Sequence, residues 1–203
     1  MYTKINDAVR YIGTDDGTLD LFESQYPVPA GMSYNSYLIC DRKTAVLDTA
    51  DIRMGGQWLA NLDEALEGRE PDYLVVHHLE PDHSAMIAAA MRKYPSMTVI
   101  CSKPAAGMLP QFFDGTDFEG RCVTVGEGDV LELGERSLRF FMAPMVHWPE
   151  VMVSWMSEDG LLFSADAFGT FGTVENAGGL FCRDIAPWRD EAARYYFNIC
   201  GKY

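Results

Sequence analysis

What the chain is short of narrows it first. No apolar run approaches the roughly 20 residues that a spanning helix needs. No charged segment followed by an apolar core opens the sequence, so neither an anchor nor a signal peptide is expected. Positive charge is scarce: 16 Lys and Arg stand against 30 Asp and Glu, a formal net charge of −14. Nucleic acid and anionic membrane surfaces both demand basic patches, so both are excluded as partners. The five cysteines (Cys40, Cys101, Cys122, Cys182 and Cys200) include no C-x-x-C pair, and four lie inside apolar stretches, as small buried hydrophobes do. That usage fits a reduced, cytoplasmic protein. There is no internal repeat and no low-complexity linker. Histidines number only four, and three of them fall within seven residues.

What is present is an ordinary globular composition. At 203 residues, 48% hydrophobic and 12% aromatic, the chain suits one domain over residues 1–203 with a sizeable core. Its organising stretch is His77-His78-Leu79-Glu80-Pro81-Asp82-His83, between the apolar run Tyr73-Leu74-Val75-Val76 and a helical pattern. In extended chain His78, Glu80 and Asp82 project from one side. Pro81 ends the ladder, and Asp82 is placed to cap the incoming helix with His83 on its first turn. Two small ligand groups follow, His78 with Glu80 and Asp82 with His83, an arrangement suited to two metal ions. His77 has the opposite strand parity and reads as a packing or supporting residue.

The rest of the pattern is β-rich. Residues 9–13 and 19–22 read as strands around an Asp15-Asp16-Gly17 turn. Residues 32–40 and 44–48 form a hairpin about Asp41-Arg42-Lys43. Trp58, Leu59, Leu62 and Leu66 give residues 55–66 a helical spacing. Strand 73–76, a helix over 83–94, strand 97–101 and a helix over 104–113 follow. Strands over 121–125, 130–133, 138–144, 151–156 and 161–164 come next, then a loop over 167–179 and a last helix over 187–199. Hairpins with βαβ units, then mostly strand, then helix: the fold class is α/β (α+β), and two sheets with helices outside, an αββα sandwich, accommodates it. His147, at a strand end before Pro149, and Asp166, ending another apolar strand, are the remaining candidates; a carboxylate at the C-terminal lip of a strand sits where open sheets bind ligands.

The order H-x-E-x-D-H, then a His about 64 residues on, then an Asp 19 further, resembles the metallo-β-lactamase-like domain of flavodiiron proteins. Asn35-Ser36-Tyr37-Leu38-Ile39, Ala45-Val46-Leu47-Asp48-Thr49, His147-Trp148-Pro149-Glu150 and residues 162–169 agree with it, so the likeness runs over essentially the whole chain. Hydrolytic members of that superfamily carry His where this chain has Glu80; a carboxylate hardens the site and favours iron over zinc. The resemblance implies two iron ions, one on His78, Glu80 and His147, the other on Asp82 and His83, with Asp166 bridging. It implies reduction of dioxygen to water or of nitric oxide to nitrous oxide. Trp148 and Phe168 would keep the pocket dry. Electrons would come from FMN on a flavodoxin-like domain absent from this chain or on a partner, or through a rubredoxin-type protein, across a head-to-tail homodimer. A further family His falls beyond Tyr203, so the sandwich is expected to be C-terminally incomplete, with a sheet edge covered by oligomerisation. A zinc hydrolase and a non-catalytic gas- or metal-binding module are the alternative readings.

Overall fold

A computed structural model describes residues 2–201; Met1, Lys202 and Tyr203, and with them the expectation attached to the final residue, lie outside the described residues. Thr3–Lys4 (β1) and Val9–Tyr11 (β2) begin a seven-stranded sheet. Thr14–Asp16 (β3), Leu21–Phe22 (β4), Tyr26–Pro27 (β5) and Met32–Tyr34 (β6) then pair off, β3 with β6 and β4 with β5. Tyr37–Cys40 (β7) and Thr44–Leu47 (β8) form the expected hairpin. Next come Gly55–Leu66 (α1), Tyr73–Val76 (β9), Pro81–Ser84 (α2), Ile87–Lys93 (α3), Thr98–Ser102 (β10), Lys103–Phe112 (α4) and Cys122–Val125 (β11). The first sheet is ordered β1-β2-β7-β8-β9-β10-β11, its last four strands parallel. Val130–Glu132 (β12), Ser137–Met142 (β13), Met152–Met156 (β14) and Leu161–Phe163 (β15) make an antiparallel meander, and Arg189–Asn198 (α5) is the last helix.

Strand β9 shows why the two sheets stack. A strand buried on both faces reads as a continuous apolar run, with alternate residues serving different layers. Leu74 and Val76 pack with Trp58 and Leu62 of α1 and Ile87 and Met91 of α3. Val75 points the other way, into a second cluster with Leu47, Leu138, Phe140 and Met152 between the sheets. Helices on the first sheet and the second sheet packed on its other face give three layers of the expected αββα sandwich. Phe141, Trp155 and Leu162 remain 36–47% exposed on the outer side of the second sheet, its open face among the described residues.

Several expectations need correction. Asp15 and Asp16 lie in β3 rather than in a turn, and residues 32–40 divide into two strands of different sheets. The helix expected over 83–94 starts earlier, at Pro81, and is interrupted at Ala85 and Met86. The cause is Thr49. Its backbone N–H and its hydroxyl both donate to the His83 carbonyl, at 2.7 and 2.8 Å, and its hydroxyl accepts from Met86 N–H at 3.3 Å. The acceptor that would carry the helix one turn further is already taken. Of the cysteines, Cys101 and Cys200 are buried, Cys40 and Cys122 half-buried and Cys182 exposed, all of them free.

Because the Thr49 hydroxyl both ends α2 and holds its carbonyl, Thr49→Val should cost about 1–2 kcal/mol at nearly constant volume. A urea unfolding midpoint equal to that of the parent chain would show that the hydroxyl does not hold the turn.

Candidate metal centre

The site forms where β9 ends. Its alternation continues one residue beyond Val76, sending His77 into the space between the sheets. There His77 Nδ1 lies 2.9 Å from Asp48 Oδ2, Nε2 lies 2.8 Å from Ser154 Oγ, and the backbone N–H donates to Asp48 Oδ1 at 2.7 Å. The His77 carbonyl accepts from Met152 N–H at 3.1 Å, tying the lip of the first sheet to the second. His78 therefore faces away from that interior. Its Nδ1 is 2.7 Å from Glu150 Oε1, and the same oxygen accepts the Leu79 N–H at 2.9 Å. A carboxylate at Nδ1 places the proton there and turns the Nε2 lone pair outward.

Beyond His78 the chain leaves extended geometry, so strand alternation is not what gathers the remaining residues. The buried Leu79 turns the chain into α2. Pro81 occupies the first helical turn, where its missing N–H costs nothing. The residue at the N-cap is Glu80, not Asp82, and its side chain makes no capping bond. It reaches across instead to His147 Nε2 at 2.8 Å. Asp82 and His83, two and three residues beyond Glu80, point from the same short helix.

The structure brings all six sequence candidates together. His78, Glu80, His147 and Asp166 each offer one donor atom, these atoms all lying within 4.8 Å of one another, and Asp82, His83 and Asp166 form a second such group. Asp166 belongs to both. Its Oδ2 lies 3.2 Å from Nε2 of His78 and 3.2 Å from Nε2 of His147, while Oδ1 lies 2.9 Å from His83 Nε2. Every one of these residues is buried. His77 stays outside both groups.

Burial and mutual attraction compete for every proton here. Burial opposes the imidazolium of His78, but its bonds to Asp166, Glu150 and Glu80 prevail and hold its pKa well above the ordinary value. His83, also desolvated, is raised to about 10 by Asp82 and Asp166, and His147 to about 9 by Asp166 and Glu80. Burial would raise Glu80, yet His147 and His78 bring it down to about 2. For Asp82 burial wins over the neighbouring imidazoles and lifts the carboxyl to about 7. A cluster in which three imidazoles must carry protons to neutralise three buried carboxylates is one where a cation can replace those protons.

The donors fit a metal pair. Asp82 Oδ1 and His83 Nδ1 are buried without a hydrogen-bond partner, a costly condition for polar atoms. Imidazole nitrogen with carboxylate oxygen is a donor set for iron, zinc or manganese, and the absence of thiolate excludes the soft ions. A cavity of about 260 Å³ lined by Tyr34, Asp82, His83, Asp166 and Tyr195 opens onto the second group.

Trp148 stands at right angles to His78, ring centroids 5.2 Å apart, and shields one side of the cluster. Phe168 differs from expectation: at 87% exposed, with a left-handed backbone, it sits on the cavity rim and excludes no water from the donors. Three residues in contact with the site were not singled out from sequence. Glu150 belonged to a strand-end segment read only as a turn. Asp48 ends an apolar strand much as Asp166 does, and that repeated signal could have found it. The Tyr195 hydroxyl donates to Asp166 Oδ1 at 2.7 Å from α5, and nothing in a helical Arg-Tyr-Tyr-Phe run announces that contact.

Comparison with known proteins places this geometry in context. A family model described as ODP family beta lactamase matches residues 32–198. The chain is 32% identical to the anaerobic nitric oxide reductase flavorubredoxin of Vibrio vulnificus, over 98% of this chain and 40% of that protein. It is 34% identical to the nitric oxide reductase of Moorella thermoacetica, over 96% of this chain and 48% of that protein. Among solved structures it superimposes on rubredoxin oxygen:oxidoreductase from Desulfovibrio gigas with a TM-score of 0.89 at 28% identity, covering 98% of this chain and 49% of that one. The flavodiiron protein from Giardia intestinalis gives 0.87 at 25%, covering 99% and 48%. The chain thus spans between two-fifths and one-half of the length of these relatives.

The imidazole shifts set a pH dependence for the metal-free protein. His147 and His83 hold their protons more tightly folded than unfolded, so their stabilising effect is complete below about pH 6.5 and is lost as pH rises through about 9 to 10. In a chelating buffer the urea midpoint should therefore fall between pH 6.5 and 10. A flat profile across that range would sink the proton-for-metal account.

Proposed function

Because this chain belongs to the ODP beta-lactamase family, we propose that it is the metal-binding half of an oxidoreductase that reduces nitric oxide or dioxygen at a pair of iron ions. His78, Glu80 and His147 hold one ion, Asp82 and His83 the other, and Asp166 lies between them. The observation that carries this reading is the division of Asp166, one oxygen turned to His78 and His147, the other to His83. A carboxylate so placed could serve both donor groups. The names borne by the relatives support the reaction class.

Two ferrous ions held by these residues would supply the electrons for reducing a small diatomic molecule; the protein's own part is placement and exclusion. Glu150 fixes His78 in the tautomer whose Nε2 is free to bind. Tyr195 donates to Asp166 Oδ1, drawing negative charge towards the second group and offering a proton beside the cavity. Trp148 and Phe112, with ring centroids 6.0 Å apart, give the first group an apolar wall suited to a neutral gas. Glu80 in place of an imidazole makes the donor set harder and more anionic, which favours iron and works against the hydrolytic zinc reading. Electrons reach the centre from FMN on a flavodoxin-like domain or from a rubredoxin-type protein, across a head-to-tail pairing of chains.

Metal analysis after anaerobic purification should find two irons per chain with zinc well below stoichiometric amounts. Reduced, iron-loaded protein should then be reoxidised by nitric oxide or dioxygen. Zinc at full occupancy with hydrolytic turnover would replace this reading. Asp166→Ala should release both ions, since each leans on it. His77→Ala should leave metal content nearly unchanged while lowering stability by about 1–3 kcal/mol, because Asp48 and Ser154 lose their common partner; loss of iron from that variant would mean the donor set is misassigned.

A further inference from the structure

We infer that Cys101 and Cys122 form a second reactive site, a thiol pair that hydrogen peroxide converts into a disulfide. The pair lies at the edge of the first sheet, and its chemistry is independent of the metal-pair reading above. The two Sγ atoms stand 3.5 Å apart across neighbouring strands, Cys101 in β10 and Cys122 at the start of β11. Sequence spacing conceals the pair, because helix α4 and its flanking turns separate the two residues.

The contact is built by the backbone. Parallel pairing sets Cys122 beside Val99 and Cys101 beside Thr124, so the cysteines are diagonal neighbours on one face of the sheet. That face carries the helices: Cys101 belongs to the buried cluster with Val99, Ala105 and Leu109, and Cys122 packs at its margin. Arg121 keeps the start of β11 in register, its guanidinium donating to the carbonyls of Met91, Tyr94 and Met97 at 3.1, 3.1 and 3.2 Å. A disulfide holds its sulfurs about 2.05 Å apart, so the pair has about 1.5 Å still to close. Strand β11 is the last of its sheet and pairs on one side only, so no second ladder resists that movement.

Burial divides the roles. Cys101 is fully buried, whereas Cys122 is only half-buried and reaches solvent. A thiolate is costly inside an apolar cluster, so Cys101 keeps its proton and donates it to the Cys122 sulfur. That bond lowers the pKa of Cys122; the same bond, together with burial, raises that of Cys101. A partly exposed thiolate beside a second thiol is the arrangement of a peroxide-sensitive pair. The Cys122 thiolate attacks one peroxide oxygen, the O–O bond breaks, and Cys122 becomes a sulfenic acid. The departing hydroxide takes up the proton that Cys122 had released. Cys101 then attacks the Cys122 sulfur, giving up its own proton, and the S–S bond forms as a second water leaves. The two electrons lost by sulfur reduce the peroxide, so one peroxide and two thiols give one disulfide and two waters.

The test is a peroxide titration of the purified Cys182→Ser chain, which lacks the exposed thiol that would compete. It is run before and after metal removal, with circular dichroism confirming the fold. One equivalent of hydrogen peroxide should remove two of the four remaining thiols and link the peptides of Cys101 and Cys122, and dithiothreitol should restore both. Adding Cys101→Ala should halt Cys122 at the sulfenic acid, trapped by dimedone, while Cys122→Ala should leave Cys101 unreacted. Four free thiols after peroxide, or a disulfide that omits either residue, would overturn the inference. So would linkage that vanishes with the metal from a folded chain, since the oxidation would then belong to the metal centre. If the alanine variant at buried Cys101 fails to fold, the linked peptide in the Cys182→Ser chain decides alone.

Discussion

One carboxylate, Asp166, itself almost wholly buried, faces three imidazoles from two directions. An ionised carboxylate taken out of water loses several kcal/mol of hydration, recovered only when its partners are in place and correctly aimed. Those partners come from separate parts of the chain: His78 from the lip of β9, His83 from α2, His147 from the connection between β13 and β14, and Asp166 itself from beyond β15. The first two belong to the first sheet and its helices, the last two to the second sheet. The apolar cluster around Phe140 and Leu138 presses the sheets together without fixing their register at the open end. At that end the charged residues set the register, and none of them can be satisfied unless the sheets meet in one arrangement.

Behind these donors stands a layer of buried polar residues that hold rather than react. Asp48, His77 and Ser154 show the point. Their geometry, carboxylate to Nδ1 and hydroxyl to Nε2, is that of a nucleophilic relay. Yet His77 and Ser154 lie between the sheets with almost no exposure, and no substrate can approach the hydroxyl. The same bonds therefore serve to pin strand β14 to the end of β9, a link reinforced by Met152 N–H on the His77 carbonyl. Glu150 does the corresponding work on the other side, accepting from both His78 and Leu79 while its own carbonyl takes the Ser102 hydroxyl. Access, more than the identity of the residues, divides chemistry from support here.

Elements with a strong periodic signal were legible in the sequence because their burial pattern is local. The helix Gly55–Leu66 and the strand Tyr73–Val76 lie where the apolar spacing puts them, and so does the hairpin about residues 41–43. The six candidate donors were legible as a set because His, Glu and Asp crowd one strand–helix junction and two further strand ends. Their mode of convergence was not. The helix starts at Pro81 with Glu80 at its cap rather than at His83 capped by Asp82, and the break at Ala85 and Met86 depends on Thr49, a residue distant in sequence that takes the His83 carbonyl. Glu150 and Tyr195 were missed for the same reason: each is conspicuous only through a long-range contact. Phe168 illustrates the reverse error, since an aromatic beside a donor in sequence need not turn towards it.

Charge balance gives the exchange at position 80 its consequence. Two divalent cations bring four positive charges into a site of low polarity, and the proposed donors Glu80, Asp82 and Asp166 return three negative ones, the histidines being neutral once their Nε2 lone pairs are engaged. With an imidazole at position 80 the deficit would be two, a balance suited to a site that holds hydroxide as a permanent anionic ligand. With Glu80 in that place it falls to one. A pair of smaller net charge has less electrostatic need to recruit hydroxide or another anion into its open positions. Those positions are then left to molecules that carry no charge, which is what a centre acting on neutral diatomic gases requires.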